Sequence, residues 1–163
     1  MKKVLILSDT HSLIDAPILK YATAHDEIWH AGDWGTIDVY DQLAALKPVK
    51  GVYGNIDGQT IRSENPKGRC FTVEGVKVLM THIGGYPKRY NAEFKERIVK
   101  EKPALVITGH SHILKVLYDH KLKHLHINPG AAGIHGFHKV RTMVSIEVSE
   151  RKISNAKVIE LKK

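Results

Sequence analysis

The run Val4-Leu5-Ile6-Leu7 constrains this chain more than any other stretch. Four consecutive apolar residues between polar flanks fit a strand covered on both faces, since a half-exposed strand would alternate. The run ends at once in Ser8-Asp9-Thr10-His11, a carboxylate and an imidazole two residues apart. In extended chain, side chains at i and i+2 point the same way, so this pair can converge on one ion. A turn-capping Asp followed by an unrelated His would read the same, so the pair needs support from the rest of the chain.

That support comes from repetition. A short helix is expected to open at Asp15, with Pro17 in its first turn and Ile18, Leu19 and Ala22 facing inward. Glu27-Ile28-Trp29-His30-Ala31 then reads as a strand that runs into Gly32-Asp33. Thr36 can cap a helix whose Val39, Tyr40, Leu43 and Leu46 form one stripe, stopped by Lys47-Pro48. Residues 49–53 read as a third strand, ending in Gly54-Asn55-Ile56-Asp57-Gly58. Strands separated by short helices imply parallel pairing through right-handed crossovers, which gathers functional groups beyond the carboxyl ends of the strands.

Residues 59–67 are polar and read as a surface loop, and residues 71–73 and 76–80 as a hairpin ending in Thr81-His82. Asn91 can cap a helix through Lys100, closed by Pro103. Ala104-Leu105-Val106-Ile107-Thr108 is another apolar strand, stopping at Gly109-His110-Ser111-His112. Beyond it, residues 113–118, 122–127, 142–148 and 153–161 read as an antiparallel meander, interrupted by the loop at Asn128-Pro129-Gly130. Two sheets packed face to face with helices outside would accommodate both halves.

A chain of 163 residues suits one domain, spanning residues 1–163, with a core that needs no covalent staple. The single cysteine, Cys70, has no intramolecular partner, and no signal-peptide or membrane-spanning run occurs, so a soluble cytoplasmic protein without membrane contact is expected. The formal charge of +8 favours anionic partners. No aromatic residues interleave with the basic ones, so the stacking platform of a single-strand nucleic-acid binder is missing. Of the 11 histidines, His25, His30, His120, His124 and His126 fall in or beside regular elements and are read as structural or surface groups. Trp29 and Trp34, near Asp33, are read as core and wall.

The donors at strand ends are Asp9, His11, Asp33, Asn55, His82, His110 and His112. They exceed what one tetrahedral ion takes and suit two ions held side by side, with a bridging carboxylate and no thiolate. Asp9-Thr10-His11, Gly32-Asp33, Gly54-Asn55-Ile56-Asp57, Thr81-His82 and Gly109-His110-Ser111-His112, in this order, resemble the motif blocks of calcineurin-like metallophosphoesterases. The length and the Asn128-Pro129-Gly130 loop are most similar to the small single-domain prokaryotic phosphodiesterases of that superfamily. The resemblance implies an α/β fold, a four-layer αββα sandwich of two mixed β-sheets flanked by helices. It implies one ion on Asp9, His11 and His112, another on Asn55, His82 and His110, and Asp33 bridging. Asn55, His82 and Asp57 are the candidate catalytic residues.

Two divalent ions against Asp9, Asp33 and a hydroxide leave a surplus of positive charge that attracts phosphate. The expected reaction is hydrolysis of a phosphodiester by a metal-activated hydroxide, without a covalent phospho-enzyme. Manganese is the first expectation, and Ni²⁺, Fe²⁺, Co²⁺ or Zn²⁺ could use the same ligands. Larger members of the superfamily carry a histidine after the asparagine that is thought to protonate the leaving oxygen. Here Ile56 stands there, so leaving groups that need little protonation, or a donor from elsewhere, are expected. Asp57 could order its loop or form a turn. Lys88, Arg89, His135 and His138 lie on loops that could border the cleft. The expected partner is a small phosphodiester or other anionic phosphate. A nuclease or a non-catalytic interaction scaffold of the same fold are the alternatives, and self-association into a homo-oligomer stays open.

Overall fold

The computed structural model describes residues 1–163, and its architecture is a four-layer αββα sandwich built on two mixed five-stranded sheets. The first half supplies β1 (Lys2–Leu7), α1 (Ala16–Thr23), β2 (Glu27–His30), α2 (Ile37–Leu46), β3 (Val49–Gly51) and α3 (Gln59–Glu64). The second supplies β4 (Gly68–Val73), β5 (Val76–Thr81), α4 (Ala92–Glu101), β6 (Leu105–Ile107), β7 (Lys115–Asp119), β8 (His124–Asn128), β9 (Arg141–Ser149) and β10 (Lys152–Leu161). The strand orders are β10-β9-β1-β2-β3 and β4-β5-β6-β8-β7.

The doubly covered reading of β1 holds side chain by side chain. Val4 and Ile6 face the space between the sheets, packing with Val144 and Ile146 and with Val78, Met80 and Ile107 of the opposite sheet. Leu5 and Leu7 face outward onto Ile18 and Ala22 of α1 and Val39 and Leu43 of α2. The caps follow the expected chemistry: Asp15 accepts from Ile18 N at 3.3 Å and Asn91 from Phe94 N at 2.8 Å, each satisfying one of the amides a helix start leaves open. Because β1-β2-β3 and β5-β6-β8 are parallel, each set delivers its carboxyl ends to a single edge.

Three expectations are corrected. Residues 59–64, expected to be loop, form α3; this short helix buries one side chain, Ile61, so it carries no apolar stripe for a pattern to reveal. The third strand stops at Gly51 rather than residue 53, because Tyr53 N turns away to Pro66 O at 3.0 Å. The last four strands are not one meander. β7 and β8 extend the second sheet, with β8 parallel to β6, while β9 and β10 extend the first, with β9 antiparallel to β1.

Candidate metal centre

Beyond the strand ends the backbone turns sharply, and it does so at the donors themselves. Asp9, His11, Asp33, His110 and His112 take φ values of 54°, 44°, 58°, 74° and 62°. None is a glycine, so each left-handed conformation costs about 1–3 kcal/mol, and such strain survives only where surrounding structure over-determines it. Amide bonds do this here: Asp9 N donates to Gly32 O at 2.9 Å and His11 N to Asp33 O at 3.0 Å, lacing the loop after β1 to that after β2, and Gly109 N donates to His82 O at 3.0 Å, tying the loop after β6 to that after β5.

The side chains so aimed form two groups able to hold a metal ion: Asp9, His11 and His112, and Asp33, His82 and His110. His112 Nε2 lies 3.2 Å from Asp9 Oδ1, and His82 Nε2 lies 3.2 Å from Asp33 Oδ2. Asp33 Oδ2 is also 3.4 Å from His11 Nε2, so one carboxylate oxygen faces a histidine of each group. Two ligands each about 2.1 Å from a shared ion stand about 3.0–3.4 Å apart, the spacing found here. Asp9 Oδ1, His11 Nε2 and His82 Nε2 are buried without a hydrogen-bond partner. Buried polar atoms are rarely left unpaired, and these three, spread over the two groups, fit the ligand sets of bound ions.

The surroundings set the protonation of these groups. Burial alone would raise the Asp9 carboxyl, but the rings of His11, His112 and His82 and the Ser8 hydroxyl outweigh it and hold the group well below the usual carboxylate range. Burial likewise opposes ionisation of Asp33, and His82 and the Ile56 amide reverse that effect. His82 Nδ1 donates to Ala31 O at 2.7 Å, which fixes the ring with Nε2 facing the carboxylates, the nitrogen a metal would take once deprotonated. Ser8 Oγ donates to Asp9 Oδ2 at 2.6 Å, and His110 N to the same oxygen at 3.1 Å.

A neutral histidine bonds a threonine one or two residues before a histidine of each group. For the first, His30 Nδ1 accepts from Gly32 N at 3.1 Å, so Nε2 donates to the Thr10 hydroxyl at 3.0 Å, and Thr10 donates on to Trp34 O at 3.0 Å. For the second, Thr108 Oγ1 donates to Gly85 O at 3.1 Å and receives His126 Nε2 at 3.4 Å, while His126 Nδ1 accepts from the Tyr90 hydroxyl at 2.7 Å. Burial pushes both His30 and His126 down to about 3. Asn128 braces the histidine loop by donating from Nδ2 to Gly109 O and Ser111 Oγ, both at 3.1 Å.

Asp57 does not face the donors. Its Oδ2 accepts from Asp33 N at 3.0 Å, Trp34 N at 3.2 Å and Gly54 N at 2.7 Å, and its Oδ1 from Gly35 N at 3.0 Å. One buried carboxylate thus ties the loop after β3 to the loop that carries Asp33. Gly54 is required at this junction, because a Cβ there would collide with the Asp33 side chain. Asn55 lies exposed at the edge of the second group, its Oδ1 accepting from His110 Nδ1 at 3.2 Å. The Ile56 amide donates to Asp33 Oδ1 at 3.2 Å while its side chain is 46% exposed.

The four loop residues separate. His135 stacks on His11, with centroids 4.6 Å apart and planes at 23°, and His138 sits edge-on to His112 at 5.5 Å. Lys88 instead lines a cavity that none of the seven donors borders, and Arg89 is exposed. Ser8, His30 and Asn128 were not legible as functional residues. Only the Pro-Gly following Asn128 marked its turn, and nothing local marked the other two.

Residues 1–151 match the calcineurin-like phosphoesterase superfamily domain. A curated relative, a probable metallophosphoesterase from Methanothermobacter thermautotrophicus, is 29% identical over 133 residues, covering 77% of this chain and 74% of the relative. Among solved structures, one described as a novel archaeal phosphodiesterase superposes with a TM-score of 0.75 at 21% identity, covering 98% of this chain and 99% of that one. Vps29 from Chaetomium thermophilum gives a TM-score of 0.75 at 15% identity over 99% of this chain and 97% of that chain. At these identities the two structures speak to the fold. The domain match, spanning nearly the whole chain and every donor described above, places this protein in the calcineurin-like phosphoesterase superfamily.

Proposed function

We propose that this protein is a dinuclear metal-dependent phosphodiesterase, with Asp9, His11 and His112 holding one ion, Asn55, His82 and His110 the other, and Asp33 between them. The observation that carries this reading is the position of Asp33 Oδ2, within 3.4 Å of a histidine nitrogen of each group. Bound there, two divalent ions would supply the Lewis acidity and surplus positive charge that activate water and offset the charge developing at phosphorus.

The chain's own residues do the rest. Asp9 and Asp33 are the only carboxylates among the seven donors, so the centre keeps its positive excess for an anionic substrate. His82, locked by Ala31 O, presents its free nitrogen inward without having to reorganise. Asp57 is a positioning residue, fixing Asp33 through its backbone. Ile56 has no proton to give, and general acid catalysis is normally worth about 10²–10⁴-fold, so diesters with good leaving groups are the favoured substrates.

The test is to strip metals with a chelator, restore Mn²⁺, Ni²⁺ or Zn²⁺ singly, and assay an activated phosphodiester beside the matching monoester. Metal-dependent turnover with the diester preferred is expected. Metal binding without turnover of either ester would leave the scaffold reading instead.

A further inference from the structure

The second sheet has one helix, α4, on its outer face, and that helix packs on Leu79 and Val106 of β5 and β6. The outer side toward β7 is left with a cavity of about 670 Å³, within the usual range for small-molecule sites. Its rim gathers Lys88 from the loop after β5, Lys95 from α4 and Lys121 from the turn between β7 and β8. None of the three is ion-paired; the lysine ion pairs of this protein involve Lys2, Lys50, Lys67 and Lys77. The one acid at the rim, Asp119, is buried, and its Oδ1 accepts from Lys121 N at 3.0 Å and Leu122 N at 2.9 Å. Three unpaired cations from separate elements around one cavity make it a favourable setting for an anion.

The remaining wall is largely apolar, with His120 at one side. Leu117 stays 40% exposed beside the lysines, on the sheet face it shares with its cross-strand partner His126. Tyr90 is held by its hydroxyl between His124 Nε2 at 2.8 Å and His126 Nδ1 at 2.7 Å, so this side of the cavity is fixed before any ligand arrives.

We propose that this cavity is a second anion-binding site, separate from the metal centre, for an organic phosphate of about mononucleotide size. The lysines take the phosphate, and Leu117 and the Tyr90 ring take the base. Isothermal titration with adenosine 5′-monophosphate, on metal-loaded protein and after chelation, tests this. A saturable site that survives chelation and weakens with added salt is expected. The exposed pair Lys95→Gln and Lys121→Gln should weaken that site about tenfold per lysine, with the metal-dependent activity unchanged. Inorganic phosphate, lacking the base, should bind it about tenfold more weakly. No saturable binding after chelation, wild-type affinity in the double variant, or equal affinity for inorganic phosphate would overturn the assignment.

Discussion

The two donor groups have the same kinds of ligand but different access to water. In the first, Asp9 is fully buried, with Oδ2 already held by Ser8 and the His110 amide, and the side chains of His11 and His112 are 14% and 17% exposed. In the second, Asp33 and His82 are buried, but Asn55 and His110 are exposed, their side chains hydrogen-bonded to each other at 3.2 Å. A closed half holds its ion by pre-set geometry, whereas an open half leaves room for a substrate oxygen to join the shell. On the proposed function, the first group would retain its ion tightly and the second would engage substrate, with Asp33 coupling them.

Asp33→Asn should produce the largest effect, because it removes the one charge both groups share. A metal's stabilisation of the reacting phosphate is worth several kcal/mol, so diesterase activity should fall by about 10³-fold or more while circular dichroism stays native. Wild-type rates would break the link between the groups.

Asp9→Asn and His82→Ala sharpen the comparison from either side. Each should weaken one ion by more than about 100-fold and leave the other, so equilibrium dialysis should find close to one ion per chain in each variant. If either variant lost both ions, the groups would not be separable halves.

A smaller loss is expected for Asp57→Asn, which touches the donors only through the Asp33 backbone amide. An amide cannot accept from four backbone N–H groups at once, so some are left unpaired, at about 1–3 kcal/mol. Thermal unfolding should drop by a few degrees, and metal affinity or activity by about 10–100-fold.

The mildest test is pH. His30 and His126 are held neutral, down to about 3, against an ordinary 6.5. Below pH 6.5 the unfolded chain takes up protons that the folded chain refuses, so stability falls steadily from 6.5 toward 3. Urea midpoints measured across that window should decline, and His126→Gln should flatten part of the decline. An unchanged slope in that variant would contradict a His126 held neutral by burial.

The parallel half of the fold was legible because β1 and the apolar runs after it are each bounded by turns, and because helices with one buried stripe separate them. The donors were legible for the same reason: topology alone sends Asp9, Asp33 and Asn55 to one edge. Partition of the last four strands between two sheets was not, since β9 finds β1 across almost the whole chain and no local pattern encodes that pairing. Nor were the left-handed turns at Asp9, His11, Asp33, His110 and His112, where no glycine signals them. Asp57 shared a motif with Asn55, yet its service to backbone amides depends on a neighbouring loop that local spacing does not reveal.

The dinuclear claim is tested most directly by titrating chelator-stripped protein with Mn²⁺ while following phosphodiester turnover and bound metal together. The account predicts little turnover at one ion per chain and full turnover at two. Full activity at one ion per chain, or none at two, would contradict it.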